Sequence, residues 1–363
     1  MTFFLADPWH DLKEALRRQA RVVGFDVAGF ASPLPPPHAQ AFACWTGEGH
    51  HGDMSWLERH GERRQDPRRL WPDVQSILVL GSNYRPPGDP LGCLQDPESM
   101  GLSAYARNRD YHLLLMRRLK VLHRWLETRL NREVPARLFV DTAPVLEKPL
   151  AVQAGLGWQG KNTLLVSRRF GCWLFLAEMF LSLPLPSDKP ERDHCGDCRR
   201  CLDACPTGAL SRPYWLEARR CLAYLTIESR GEIPAAYRRL LKNRVYGCDD
   251  CLAVCPFNRF APTTREPDYL ARPILQSPRL RAFADITEER FREVFRHTSI
   301  KRLGRVRFLR NLEVALHNAD TITDNNATSA GTHPSPEMEK YPSGQLTFGH
   351  TIRQLIDRTD KIS

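Results

Sequence analysis

The sequence has no long uncharged apolar segment, which argues against a membrane-spanning helix. The best candidate, Cys172 to Pro184, is shorter than the roughly 18 residues such a helix needs, and it contains Glu178. Met1 to Leu16 carries acidic residues and lacks both a basic start and an apolar centre, so no secretory signal is visible. We therefore expect a soluble, cytoplasmic protein that does not bind a membrane.

Charge is spread unevenly over the 363 residues, a length that suffices for two or three domains. The formal net charge is +10, and residues 320–363 hold four Lys/Arg against six Asp/Glu, which leaves +12 on residues 1–319. The positive charge of residues 1–319 favours a polyanionic partner, because Lys and Arg displace the counterions of phosphates when they neutralise them. An ordinary solvated basic face remains an equally good explanation of the charge alone.

Alternating strand and helix patterns over residues 1–186 predict a mixed α/β (α+β) domain. The predicted helices span 11–21, 112–130 and 144–154, and the predicted strands span 24–30, 77–80, 138–140, 162–166 and 173–180. Residues 187–265 contain the clustered cysteines and residues 266–318 have helical patterns. Residues 319–363 have the composition of a disordered tail.

Eight of the eleven cysteines form two related runs. The first, Cys195-x2-Cys198-x2-Cys201-x3-Cys205-Pro206, has the spacing that binds three corners of one 4Fe-4S cluster and sends the fourth thiolate to a second cluster. The second is Cys248-x2-Cys251-x3-Cys255-Pro256, for which Cys221 supplies the missing first ligand. The predicted ligand sets are Cys195, Cys198, Cys201 and Cys255 for one cluster, and Cys205, Cys221, Cys248 and Cys251 for the other.

Structural zinc is the main alternative for these cysteines, since it also uses Cys-x2-Cys pairs. Zinc sites close on four ligands, however, and do not require crossed x3-Cys-Pro arms. The Cys-x3-Cys-x2-Cys order expected for radical chemistry on S-adenosylmethionine is absent. The remaining thiols, Cys44, Cys93 and Cys172, are predicted to be ordinary buried residues.

Gly155 to Gly160 matches the dinucleotide-binding pattern G-x-G-x-x-G, but the predicted elements stand in the wrong order. That motif needs a strand before the glycines and a helix after them, so that a helix N-terminus faces phosphate. Here a helix precedes and a strand follows. We expect these glycines to allow close approach of something large and flat beside Trp158.

Five separated motifs together resemble the epoxyqueuosine reductases, cobalamin-dependent iron-sulfur enzymes that complete queuosine in transfer RNA. Besides the cysteine runs, the motifs are Tyr105-Ala106-x3-Asp110-Tyr111-His112, Val140-Asp141-Thr142, Gly157-Trp158-x-Gly160-Lys161-Asn162-Thr163 and Tyr246-Gly247-Cys248-Asp249-x-Cys251. The resemblance spans roughly residues 10–318. It implies a nitroreductase-like cobalamin-binding domain, a two-cluster ferredoxin-like domain and a helical region that contacts transfer RNA.

The implied reaction removes the epoxide oxygen of epoxyqueuosine at the wobble nucleotide as water, with two electrons and two protons. Asp141 matches the family's proton donor, and we expect burial beside the corrin to raise its pKa. Without the resemblance, Asp141 is equally a loop residue before a helix. The resemblance places these residues near cobalamin: Arg64, Asp141, Trp158, Lys161, Leu165, Leu176 and Asp249.

Basic residues between Arg296 and Arg310, with no acid among them, predict a phosphate-binding stripe, with a solvated helix face as the alternative. The predicted transfer RNA contacts are Arg230, Arg244, Lys301, Arg302, Arg305 and Arg307. We also expect an external electron donor, such as a flavodoxin or ferredoxin system, and a monomer. Three other functions remain open: a reductive dehalogenase-like enzyme, a ferredoxin-type electron carrier, and a noncatalytic transfer RNA binder.

Overall fold

A four-stranded antiparallel sheet is the central element of the computed structural model, which describes residues 8–329. The strands are β1 (Val27–Ala31), β2 (Ser76–Asn83), β3 (Gly101–Leu102), β4 (Ala136–Phe139), β5 (Trp158–Gln159), β6 (Leu165–Val166), β7 (Leu174–Leu181) and β8 (Arg244–Tyr246). The main sheet has the order β1-β2-β7-β4, while β3 pairs with β8 and β5 with β6 in two small sheets. The antiparallel main sheet makes the predicted mixed domain an α+β arrangement.

Helices cover both faces of the main sheet and recur along the rest of the described chain. They are α1 (Pro8–Val22), α2 (Ala39–Gly47), α3 (Gly61–Gln65), α4 (Pro67–Leu70), α5 (Tyr111–Leu130), α6 (Glu147–Gln153), α7 (Arg200–Asp203), α8 (Leu222–Ile227), α9 (Ala235–Leu241), α10 (Asp250–Ala253), α11 (Pro273–Gln276), α12 (Glu288–Val294) and α13 (Arg305–Ser329). None of the helices among residues 8–329 combines the length and apolar content needed to cross a membrane.

Strand alternation decides which helix each face of the sheet meets. Leu78 and Leu80 of β2 pack with α1 and α5, whereas Ile77 and Val79 pack with α6 on the opposite face. All residues of β2 are buried, so both faces of the strand are covered. By the same alternation, Glu178 of β7 lies on the α6 face.

The predicted strands and helices of the first half are confirmed, with three shifts. Strand β1 begins at Val27 rather than at residue 24. Helix α6 begins at Glu147 rather than at residue 144, because residues 140–145 form tight turns in which Thr142 and Val145 donate backbone hydrogen bonds to Val140 and Ala143. Strand β6 is shorter than predicted, since Thr163 has a positive φ of 64°.

The order of elements around Gly155 to Gly160 is confirmed: α6 precedes the glycines and the hairpin β5–β6 follows. A Cβ at Gly157 would lie 2.1 Å from the carbonyl oxygen of Val166. The expected approach of a flat ligand is therefore replaced here by close packing of the protein's own backbone.

Helix α13 extends past the predicted start of the tail at residue 319. Phe308, Leu312, Ala315 and Ala319 are buried at helical spacing, so the apolar face continues beyond the predicted boundary. The Asn318 side chain also donates to two carbonyl groups at the end of α9. The prediction for residues 319–329 was wrong for this reason, and residues 330–363 lie outside the described part of the chain.

Candidate functional site

Asp141 lies on the loop that leaves β4, in a left-handed backbone conformation with φ of 57°. Its backbone N–H donates to Glu147 Oε1 at 2.5 Å. Its side chain is 57% exposed, and Oδ2 accepts hydrogen bonds from Tyr111 Oη at 3.2 Å and His112 Nε2 at 3.1 Å. The strained loop thus presents an accessible carboxyl group, which hydrogen bonds from the first residues of α5 fix in position.

His112 links Asp141 to a second carboxylate. Asp110 caps the N-terminus of α5 by accepting from the His112 backbone N–H, and it also contacts His112 Nδ1 at 2.5 Å. Burial alone would lower the pKa of His112, but the hydrogen bonds to Asp110 and Asp141 raise it to about 9. His112 is therefore an imidazolium at neutral pH.

The protein groups around Asp141 lower its pKa, and the expected rise from burial beside the corrin stays a prediction. The hydrogen bond from His112 lowers the pKa of Asp141 and outweighs the effect of burial, and Tyr111 and Arg302 act in the same direction. Asp141 and His112 thus form a carboxylate–imidazolium pair that carries one proton between them.

Removing the charge of Asp141 should release the proton of His112 at lower pH. We expect the ring of His112 to titrate with a pKa of about 9 in the unmodified protein, and Asp141→Asn to move this pKa towards the ordinary value near 6.5. The pair should stabilise the fold fully below pH 6.5 and lose that contribution as pH rises through about 9. Nuclear magnetic resonance of labelled histidine measures the pKa. An unchanged value in Asp141→Asn would show that the two groups are not coupled.

Arg64 is the predicted cofactor residue that the structure places beside Asp141. It is buried, and its guanidinium lies 5.2 Å from the centre of the Trp56 ring. Burial lowers the pKa of Arg64, and the negative charges of Asp141 and Glu147 oppose that change. Arg64 Nε has no hydrogen-bond partner among the described residues. An unpaired buried donor beside an exposed acid fits a site for a large polar ligand such as cobalamin.

Trp158 and Lys161 lie elsewhere. Trp158 is 2% exposed, and its Nε1 donates to Cys195 Sγ at 3.5 Å. Lys161 Nζ donates to the carbonyl oxygens of Gly196 and Cys198. Both side chains hold the first cysteine loop, and their predicted contacts with cobalamin stay predictions.

The other predicted cofactor residues are largely enclosed. Asp249 is buried, and its carboxylate accepts from Ser103 Oγ at 2.5 Å and from the Ala104 N–H at 2.7 Å. These bonds hold the Asp249 side chain inside the protein, and its predicted place near cobalamin stays a prediction. Leu165 and Leu176 belong to the apolar core beside α6, so a role for them through shape stays a prediction.

The two cysteine runs fold into matching halves. Each forms a one-turn helix, α7 or α10, and the two helices pack together. The N–H of Cys205 donates to Leu202 and that of Cys255 to Leu252, both at 3.3 Å. This correspondence supports the pseudo-twofold arrangement read from the spacing.

The cysteines that act electrostatically on Cys201 and Cys251 belong to the same predicted ligand set as the cysteine they affect, apart from the effect of Cys201 on Cys251. Burial raises the pKa of Cys201 to about 11, with further increases from Cys195, Cys255 and Cys198. Burial also raises the pKa of Cys251, followed by the effects of Cys221, Cys205 and Cys201. No three His, Cys, Asp or Glu side chains in the described residues converge on one point as ligands of a single metal ion. Two separated groups of thiols suit the corners of cubane clusters, and the individual ligand assignment stays a prediction.

The three remaining cysteines differ from one another. Cys172 is buried and Cys93 is partly buried, but Cys44 is exposed on the short helix α2. The prediction of a buried thiol was thus wrong for Cys44. Cys172 hydrogen-bonds to Cys255 and thereby lowers the pKa of Cys255 to about 7.

The predicted RNA contacts differ in burial: three are exposed, two are half-buried and Arg244 is buried. Arg230, Lys301 and Arg302 are exposed. Arg305 and Arg307 are half-buried and donate to the backbone carbonyls of Ile286, Leu303 and Ile227. Arg302 lies 3.5 Å from Asp110 Oδ2, so the exposed basic surface borders the carboxylate–imidazolium pair.

Arg244 was wrongly predicted as an RNA contact. Its side chain is 4% exposed and donates to both carboxylate oxygens of Asp250 at 2.7 Å. Asp250 Oδ2 in turn lies 2.7 Å from Cys248 Sγ. Arg244 therefore supports the second cysteine set and is not available to a phosphate.

Sequence reasoning assigned no role to several residues of the site: Tyr111, His112, Glu147 and Glu178. Tyr111 and His112 stood in a quoted motif, but nothing in the sequence indicated that they face Asp141. Glu178 did carry a signal, because an acid inside an apolar strand is rarely buried without a reason.

Comparisons with known proteins agree with the motifs. Family models match residues 194–258, described as 4Fe-4S double cluster binding domain, and residues 64–142, described as Epoxyqueuosine reductase QueG, DUF1730. The epoxyqueuosine reductase of Pseudomonas aeruginosa is 42% identical over 313 residues, covering 85% of this chain and 86% of that protein. That of Escherichia coli K12 is 39% identical over 329 residues, covering 90% and 86%.

Solved structures give the same result. A crystal structure of epoxyqueuosine reductase with an epoxyqueuosine-modified tRNA-Tyr stem loop has a TM-score of 0.79 and 29% identity, covering 91% of this chain and 87% of that one. The enzyme from Bacillus subtilis, described with its catalytic loop swung out of the active site, has a TM-score of 0.79, 28% identity and the same coverage. The predicted resemblance is confirmed, and the chain belongs to the epoxyqueuosine reductase family.

Proposed function

We propose that this chain reduces the epoxide of epoxyqueuosine in transfer RNA to the alkene of queuosine. The reaction takes up two electrons and two protons and releases the epoxide oxygen as water. The observation that carries this proposal is the exposed carboxylate of Asp141, paired with the largely buried His112 beside a basic surface, in a chain of this family. A proton-carrying pair next to a polyanion-binding surface fits acid-assisted loss of an oxygen from a nucleotide.

The electrons are proposed to come through two 4Fe-4S clusters bound by the eight cysteines. An external donor, such as a flavodoxin or ferredoxin system, supplies them to a monomeric cytoplasmic enzyme. Residues 1–186 form a nitroreductase-like domain in which Arg64, Asp141, Leu165 and Leu176 hold cobalamin. Bound cobalamin supplies the low-potential electron chemistry that the side chains lack.

The chain's own contribution to the chemistry is the proton. Asp141 is ionised beside the His112 imidazolium, so the pair can deliver a proton from an Asp141 oxygen as negative charge develops on the substrate oxygen. Tyr111 donates to the same carboxylate oxygen and fixes its position. The Bacillus subtilis relative is described with its catalytic loop swung out, so we propose that the Asp141 loop also moves.

RNA binding is proposed on the exposed basic residues beside this pair. A related enzyme is described with a modified tRNA-Tyr stem loop, which supports an anticodon stem-loop as the substrate here. Phosphate contacts from Arg230, Lys301 and Arg302 position the loop, and the wobble base reaches Asp141. Arg305 and Arg307 contribute their remaining N–H groups.

Reversing charge on this surface should weaken RNA binding in a salt-dependent way. We expect Lys301→Glu and Arg302→Glu each to reduce the slope of log affinity against log salt by about one. Fluorescence anisotropy with a labelled stem-loop measures the slope. Arg290→Glu is the matched control, because Arg290 is exposed on α12 and lies beside Glu293. Equal slopes for all three variants would place the RNA elsewhere.

The proposed reaction is tested by anaerobic reconstitution with iron, sulfide and cobalamin, followed by mass spectrometry of nucleosides from epoxyqueuosine-bearing transfer RNA. The expected result is loss of one oxygen atom from the modified nucleoside. Protein that takes up both cofactors and binds the RNA but leaves epoxyqueuosine unchanged would contradict the proposal.

A further inference from the structure

One buried and one half-buried glutamate lie behind the Asp141 loop. Glu178 of β7 is 0% exposed and pairs across the sheet with Phe139, the last residue of β4. Glu147 begins α6, the helix that packs on the same face. The register of β4 and β7 therefore places Glu178 beneath the point where the Asp141 loop leaves the sheet.

Each of the two glutamates shifts the pKa of the other, so their carboxyl groups interact. Neither oxygen of Glu178 receives a hydrogen bond from a donor group in the described residues. Burial raises the pKa of Glu178 well above its ordinary value and that of Glu147 to about 7. A carboxyl group that is 0% exposed and lacks a donor favours its neutral form, so the proton resides on Glu178.

Glu147 accepts a hydrogen bond from the backbone N–H of Asp141. This bond spans the loop at the residue with positive φ. We propose that Glu147 is a latch that holds the Asp141 loop in place, and that protonated Glu178 positions and strengthens that latch. Both are positioning residues, and this inference rests on the proposed function in that Asp141 is taken to deliver the proton.

The charged and titratable groups that act on Glu147 come from several elements. They are Asp141 on the loop, Tyr111 and His112 on α5, Glu178 on β7, Arg64 on α3 and Lys148 on α6. Ionised Glu147 is the stronger acceptor for the Asp141 N–H, so the latch tightens as pH rises through about 7. The proton of the His112 pair is lost only above about 9. The rate of reduction should therefore rise through the first pKa and fall through the second.

Hydrogen exchange tests the latch without using the reaction. The amide of Asp141 should be protected from exchange in the holoenzyme at pH 8, and less protected at pH 6 after correction for intrinsic rates. Glu147→Ala should remove this protection, while Glu147→Gln should keep part of it because its carbonyl oxygen still accepts. Glu133→Gln, which changes an exposed acid before β4, is the matched control. Equal protection in Glu147→Ala and the unmodified protein would overturn the proposal.

Kinetics test what the latch does for the reaction. Glu147→Ala should lower kcat by about ten-fold or more, with little change in KM for the RNA. Glu178→Gln should shift the rising part of the plot of kcat against pH to lower pH. The introduced amide can donate a hydrogen bond to Glu147 but cannot take up a proton in its place. Glu147→Gln should remove that rise. If kcat still rises near pH 7 in both variants, Glu147 and Glu178 do not control that rise. If no variant reduces epoxide but exchange follows the expected pattern, the latch stands and the proposed function fails.

Discussion

Asp141→Asn is expected to lower kcat for epoxide reduction by about 10²–10⁴-fold, the usual contribution of a positioned general acid. The amide keeps the size of the side chain and the backbone bond to Glu147, so loop and fold should remain. It cannot take a proton from His112 and pass it on. Nucleoside mass spectrometry over time with fully loaded enzyme measures the loss.

The matched control for Asp141→Asn is Glu133→Gln, which removes an exposed acid near the other end of β4. Iron and cobalamin content must be equal in the two variants, so that a lost cofactor is not mistaken for a lost proton donor. Near-normal turnover of Asp141→Asn with both cofactors present would show that another group protonates the departing oxygen.

Cys201→Ser and Cys255→Ser are each expected to lower bound iron from about eight atoms per chain to about four, and to abolish reduction of epoxyqueuosine. These cysteines come from different runs, yet they are assigned to the same cluster. The electrostatic influence of Cys255 on Cys201 supports their proximity. Iron analysis and low-temperature electron paramagnetic resonance of the reduced protein measure the loss.

Double variants test the crossing of the ligands. Cys201→Ser with Cys255→Ser should lose no more iron than either change alone, because both remove the same cluster. Cys201→Ser with Cys205→Ser should lose both clusters, although these residues are neighbours in the first run. Cys44→Ser is the control, since Cys44 is exposed on α2 and belongs to neither run. The opposite pattern would mean that each run binds its own cluster.

The predictions that succeeded rest on local patterns. Cysteine spacing indicated two clusters, and the apolar strands 77–80 and 173–180 indicated the centre of the sheet. Motif order indicated the family. Such features are encoded within a few residues of one another, where spacing and periodicity have direct geometric meaning.

The contacts that local patterns missed concern partners distant in sequence. Arg244 looked like a surface arginine until its ion pair with Asp250 placed it behind the second cysteine set. Trp158 and Lys161 bind a loop about 35 residues away in the chain. Asp141 was expected to gain a raised pKa from burial, but His112, 29 positions earlier, lowers it.

The sequence by itself determined the two cysteine runs, the alternation of elements and the family, because each is specified by residue type at fixed spacing. The tertiary structure decided which charges meet: Asp141 with His112, Glu147 with Glu178, and Arg302 with Asp110. The physical reason is that a pKa and a hydrogen-bond partner depend on distance and burial in space. Sheet register and helix packing set both, and no short segment contains them.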